Sequence, residues 1–282
     1  IPCDYDDPEE LLRYIAPDFP ALLVDVEAAD EYGPCVELLK VIRPNFKTLI
    51  CVNGAGWKLA QSGLLDLQIC QSILMDIPLS PAVIGGVENI IIDPRFAGLT
   101  PNPESGHVVI SMGGGDPHNL TAQTVRALAD CGRRLAVVIG VAVKDDWQDD
   151  RKMIAINSGV NMRMGVDYHI APPNLLGVLN GAALYVGALG MSAYEALAAG
   201  TPCVLTNWSA DHVRTSEELE RRGVALNIGL WTNIDTVAAA VYSVLSDNVN
   251  IRMSARARAL VDGGGVARVA ERICQLLTAS KS

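Results

Sequence analysis

His107-Val108-Val109-Ile110-Ser111-Met112-Gly113-Gly114-Gly115-Asp116-Pro117-His118-Asn119-Leu120-Thr121 is the stretch on which the reading of this chain turns. A short apolar run meets three glycines and a polar cluster, and an apolar-periodic segment starts at Ala122. That order predicts a strand, a tight turn without side chains, and a helix with Thr121 as its cap. Glycines let the backbone approach a ligand closely, and a new helix offers unpaired N–H groups to an anion. The same grammar returns at Leu184-Tyr185-Val186-Gly187-Ala188-Leu189-Gly190-Met191-Ser192-Ala193-Tyr194-Glu195. Two such turns in one α/β pattern point to a phosphate-bearing ligand, a nucleotide above all.

Working outward, strands are predicted at 107–112, 134–141, 160–164, 183–187, 202–206 and 224–228. Helices are predicted between them near 121–131, 147–157, 173–181, 190–199 and 211–222, and three more at 233–246, 248–261 and 265–278. Strands alternating with helices of this length argue for a parallel, doubly wound sheet. Ligands of such sheets sit outside the carboxyl ends of the strands, where both glycine turns fall. Upstream, a helix is predicted at Pro8–Ile15 behind the cap Asp7, a strand at Ala21–Asp25, a helix at Pro34–Ile42 and a strand at Thr48–Val52. Segments 67–74 and 89–93 are read as further strands. The stretch from Asp93 to Gly106 carries Pro94, Gly98, Pro101 and Pro103 and is read as a linker. The expected domains are therefore 1–100 and 101–282, as suits 282 residues when single cores stop growing near roughly 250–300.

Half of the residues are hydrophobic but only 5% are aromatic, the small-aliphatic composition expected where helices cover both faces of parallel sheets. A net charge of −10 argues against a nucleic-acid surface, while a single nucleotide held by amides stays compatible. The seven cysteines are scattered, with no C-x-x-C pair, so neither a zinc site nor a disulfide framework is indicated. Asp145, Asp146, Asp149, Asp150 and Glu31 have no metal-ligand spacing and read as a solvated acidic face; neither a metal nor a cofactor is expected. No apolar stretch is long enough to span a membrane and no signal peptide opens the chain, so a cytoplasmic location is expected. Oligomeric state leaves no trace in the sequence.

Gly113-Gly114-Gly115-Asp116-Pro117-His118-Asn119-Leu120-Thr121 resembles the GG-x-DP-x-N-L-T segment of the UDP-2,4-diacetamido-2,4,6-trideoxy-β-L-altropyranose hydrolases of pseudaminic acid synthesis, whose relatives include spore-coat polysaccharide proteins. Gly190-Met191-Ser192-Ala193-Tyr194-Glu195, running on to Gly200-Thr201-Pro202, is similar to that family's GGST-x-W-E-x-x-x-x-G-x-P segment. Arg222 to Gly229 is similar to its L-G-x-A-x-x-x-G strand, and Val261-Asp262-Gly263 through Gly265 and Arg268 to its V-D-G-x-G-x-x-R-V segment. Below residue 100 the likeness is faint. The resemblance implies a GT-B-like architecture, two Rossmann-like domains with parallel sheets and a UDP-sugar between them, and cleavage of the bond between anomeric carbon and diphosphate with water as acceptor. The family also carries a Gly-x-Gly-His-x-x-Arg turn near its start, with a histidine held to be catalytic. No such motif occurs here, and the chain opens on Ile1. A partial N-terminal domain is the expectation that reconciles the two; an intact start would remove the family's mechanism.

Set on the resemblance, Gly113, Gly114, Gly115 and Asp116 line the diphosphate, with amides at Gly190, Met191 and Ser192. Glu195 accepts the two ribose hydroxyls, since a carboxylate suits a diol and repels phosphate. Asp211 and His212 stand in the place of the family's Asn-Gln pair, and His212 is the candidate general acid or base. His118 falls at a variable position of the motif and His169 in a loop, both without an assigned role. The leading reading is a UDP-sugar hydrolase that needs no cofactor. A GT-B glycosyltransferase using the same donor and a nucleotide-sugar-binding protein without catalysis are its alternatives.

Overall fold

The computed structural model describes residues 19–26, 32–53, 58–73, 80–142, 165–246 and 249–279. In chain order the strands are β1 (Ala21–Val26), β2 (Thr48–Asn53), β3 (Leu67–Cys70), β4 (Val83–Ile84), β5 (His107–Ser111), β6 (Leu135–Ile139), β7 (Val166–Ile170), β8 (Ala182–Ala188), β9 (Cys203–Asn207) and β10 (Ala225–Leu230). The helices are α1 (Tyr32–Ile42), α2 (Leu120–Ala127), α3 (Leu176–Leu179), α4 (Met191–Ala198), α5 (Ala210–Arg221), α6 (Val237–Leu245), α7 (Val249–Leu260) and α8 (Gly265–Ala279). The expected strand at 160–164 and helices at 8–15 and 147–157 lie outside the described residues, as do the acidic residues 145–150 and Glu31.

The chain divides into two compact units, Ile1–Ile91 with Gly264–Ser282, and Ile92–Gly263. In the first, β1-β2-β3-β4 form a parallel sheet. Leu38, Leu39 and Ile42 of α1 bury against Leu49 and Cys51 of β2, while Ile50, Leu67 and Ile69 pack with Val269 of α8, the alternation of a sheet covered on both faces. Segment 89–93, expected as a strand, has no ladder partner among the described residues. The Gln71 side chain serves it instead, donating to the Asn89 carbonyl at 3.3 Å and accepting from the Ile91 amide at 2.7 Å. A side-chain amide here replaces a neighbouring strand.

In the second unit six parallel strands run β10-β9-β8-β5-β6-β7. The chain starts in the middle at β5, builds outward to β7, then returns to lay β8 on the other side of β5. That is the doubly wound order, and its direction reverses between β5 and β8. Val108, Ile110, Leu184, Val186 and Val204 bury in one cluster with α2 and α6 residues such as Leu120, Val125 and Val241. Residues of opposite parity, Tyr185 and Gly187 among them, face the other side, where α4 packs with α7 and the 3₁₀ turn Pro94–Gly98. The Asp93–Gly106 stretch belongs to this unit. His169, expected in a loop, pairs within β7 opposite Val138. Among the described residues no helix is long and apolar enough to cross a membrane.

Candidate functional site

Both glycine turns leave the carboxyl ends of neighbouring strands, one after β5 and one after β8, on either side of the reversal. Gly113 adopts φ +87°, which favours glycine. Gly114 and Gly115 have no such φ, and a Cβ built on either meets no described residue within 4 Å. Gly190, extended at φ 175°, likewise has open space where a Cβ would stand. The described residues therefore explain Gly113 but make no demand for glycine at 114, 115 or 190. What remains is clearance outside the protein, for a group that approaches the backbone.

Beneath the first turn lies a close contact that the sequence reading missed. A Cβ on Gly140, just past β6, would sit 2.3 Å from the Gly114 carbonyl oxygen and 2.5 Å from that of Gly113. Ala142 donates its amide to the Gly114 carbonyl at 2.9 Å. The turn is thus seated on bare backbone. Gly187 plays the corresponding part inside the sheet: a Cβ there would sit 2.1 Å from the Ser111 carbonyl oxygen and 2.6 Å from the Tyr185 hydroxyl. That hydroxyl donates to the Ser111 carbonyl at 3.2 Å, tying β8 to the root of the first turn. Full burial pushes the Tyr185 phenol far above its ordinary range, so it stays protonated.

Asp116 is buried, with φ +38°. Its Oδ1 accepts from the Leu120 amide at 2.8 Å and its Oδ2 from the Thr121 amide at 2.9 Å. The carboxylate therefore caps α2 from four residues upstream, and Thr121, expected as the cap, is capped. Burial pushes the Asp116 carboxyl up, against the pull of those amide bonds. The first two amides of α2 are satisfied from within.

The start of α4 differs. Gly190 provides no side-chain cap, and the first intrahelical bond runs from the Ala193 amide to the Gly190 carbonyl at 3.0 Å. The Met191 and Ser192 amides ahead of it have no partner among the described residues, so this helix presents the open, partly positive end that attracts anions. One turn on, Glu195 is half-buried. Burial first, and the charge of Asp93 second, push its carboxyl up. No cation or donor among the described residues meets that carboxylate.

Asp211 and His212 stand in the first turn of α5, beyond the carboxyl end of β9 and so one strand further from the reversal. Ser209 caps this helix, accepting from the His212 amide at 3.3 Å. Asp211 is exposed and lies 3.9 Å from Arg214, a surface pair worth little. Of the residues read from the sequence, the structure brings Gly113, Gly114, Gly115, Gly190, Met191 and Ser192 to adjacent strand ends. Glu195 stands beside them on α4. Asp116 lies beneath as a cap, and Asp211 and His212 lie to one side.

No protein-family model matches the chain. Over 278 residues it is 23% identical to the spore coat polysaccharide biosynthesis protein SpsG of Bacillus subtilis (strain 168), covering 91% of this chain and 78% of SpsG. Among solved structures it is similar to Staphylococcus aureus MnaA in complex with UDP, with a TM-score of 0.64 and 13% identity over 97% of this chain and 80% of that one. The spinosyn rhamnosyltransferase SpnG complexed with thymidine diphosphate matches with a TM-score of 0.61 and 15% identity, over 94% and 77% of the two chains. The shared architecture is that of GT-B proteins, with two parallel-sheet Rossmann-like domains.

Proposed function

We propose that this chain binds a UDP-sugar at the carboxyl ends of β5 and β8 and transfers its glycosyl group to an acceptor hydroxyl. The observation that carries the reading is the set of glycines the fold does not require, Gly114, Gly115 and Gly190, on both sides of the reversal beside an open helix start. In this reading the amides of the first turn and of Met191 and Ser192 hold the diphosphate, and Glu195 accepts the ribose hydroxyls. When the anomeric C–O bond breaks, its electron pair passes to the diphosphate, and fixed N–H dipoles stabilise the charge that develops there. His212, at the edge of the site, is the candidate general acid or base. The fold likeness to a named rhamnosyltransferase bound to a nucleoside diphosphate supports transfer as the leading reading.

Hydrolysis, with water as acceptor, is the second reading. It rests on the four ordered matches to the UDP-sugar hydrolases between residues 107 and 270. Both readings are tested by following UDP release from a panel of UDP-sugars. Release only when a hydroxyl acceptor is supplied supports transfer, and free sugar without acceptor supports hydrolysis. UDP binding without turnover selects a carrier, and failure to bind UDP refutes all three.

A further inference from the structure

We propose that His118 contacts the phosphate furthest from the ribose and so makes this site selective for a nucleoside diphosphate over a monophosphate. The assignment rests on the nucleotide reading above and adds to it a residue at a variable place in the motif. His118 is exposed, three residues past Gly115, at most about 10 Å of chain. Its imidazole stacks on the Trp231 indole, with ring centroids 3.8 Å apart and planes within 6°. Trp208 flanks it at 5.6 Å and 37°. Trp208 directly follows β9 and Trp231 directly follows β10, so three rings from three strand ends meet at the carboxyl edge of one sheet. No described residue hydrogen-bonds either ring nitrogen. The ring is thus held by its faces, with the Asp116 carboxylate near enough to interact with its charge, and its nitrogens are left to face a ligand. At least one of them is an N–H donor in either protonation state.

The sheet supplies the direction. Glu195 belongs to α4, on the face that Tyr185 shares, whereas α2, which His118 precedes, packs with α6 and the 3₁₀ turn Trp231–Thr236 on the opposite face. A nucleotide whose ribose is held at Glu195 and whose chain passes the reversal between β5 and β8 therefore delivers its outer phosphate to the His118 side. Stacking alone needs no nitrogen, since phenylalanine would stack as well.

The test is calorimetric titration of the full chain and its His118→Phe variant, which keeps a ring on Trp231, with UDP, UMP and uridine. The expected result is a UDP affinity lower by about tenfold or more, the loss of one hydrogen bond to a charged group, with UMP and uridine affinities unchanged. Retained UMP binding also shows that the variant is folded. Unchanged UDP affinity overturns the assignment, as does an equal loss for UDP and UMP. A wild-type chain that binds neither UDP nor UMP overturns the nucleotide reading itself, and this assignment with it.

Discussion

Replacing Glu195 by glutamine separates binding from stability, because the two effects have opposite signs. The native carboxyl is pushed up by burial and by the charge of Asp93, while in the unfolded chain it has its ordinary value. The native state therefore binds more protons between the two values, and stability falls as pH rises from the ordinary carboxylate range through the raised one. Above that window the ionised Glu195 destabilises the fold, having no cation beside it among the described residues. Glutamine has nearly the same volume and no charge, so Glu195→Gln is expected to be at least as stable as the wild type at pH 7 and to lose that part of the pH dependence. Binding changes the other way. A carboxylate accepting two ribose hydroxyls makes hydrogen bonds to a charged group, worth about 1.5–3 kcal/mol each. Loss of one such bond lowers UDP affinity roughly tenfold or more. Calorimetry with UDP and thermal melts from pH 4 to pH 8 measure both. A variant that binds UDP like the wild type, or one that is less stable at pH 7 than at pH 4 by as much as the wild type, refutes the reasoning.

Two other substitutions probe the seat of the first turn. Gly140→Ala places a methyl group 2.3 Å from the Gly114 carbonyl oxygen, so the backbone must shift; a loss of about 1–3 kcal/mol in denaturant unfolding is expected, with weaker UDP binding from a displaced turn. Wild-type stability and affinity together would contradict the seating of the turn on Gly140. Asp116→Ala removes the carboxylate that caps α2 and is expected to cost about 1–2 kcal/mol. Asp116→Asn keeps an acceptor and tolerates the positive φ, so it should recover part of that cost; equal losses in the two variants would deny the capping role.

How far the sequence alone reaches differs along the chain. β5 and β8 are legible because each is a continuous apolar run ended by small residues, the mark of a strand buried on both faces. The α/β order and the parallel sheet follow from that pattern, the GT-B-like class follows from the motif resemblance, and the structure and its likenesses agree. Thr121 was the wrong cap because the usual rule looks for a hydroxyl or carboxylate at the helix boundary, whereas Asp116 reaches forward from a left-handed backbone position. Gly140 is a lone glycine after an apolar run, and nothing local tells that another segment's carbonyls lie against it. Tyr185 hides inside an apolar strand, and only the register of β8 against β5 brings its hydroxyl to Ser111. Segment 89–93 has the composition of a strand, but its backbone partners are supplied by Gln71, a tertiary fact. The pairing of His118 with two tryptophans is equally long-range, which is why that histidine carried no signal in the sequence.

Titration of nitrogen-15-labelled protein with UDP, read amide by amide, tests the central claim most directly. Binding at the β5/β8 reversal predicts the largest shifts at Gly113, Gly114, Gly115, Met191 and Ser192, with little change at Leu120 and Thr121, whose N–H groups Asp116 already occupies. No shifts at saturating UDP, or shifts centred on another part of the chain, would contradict it.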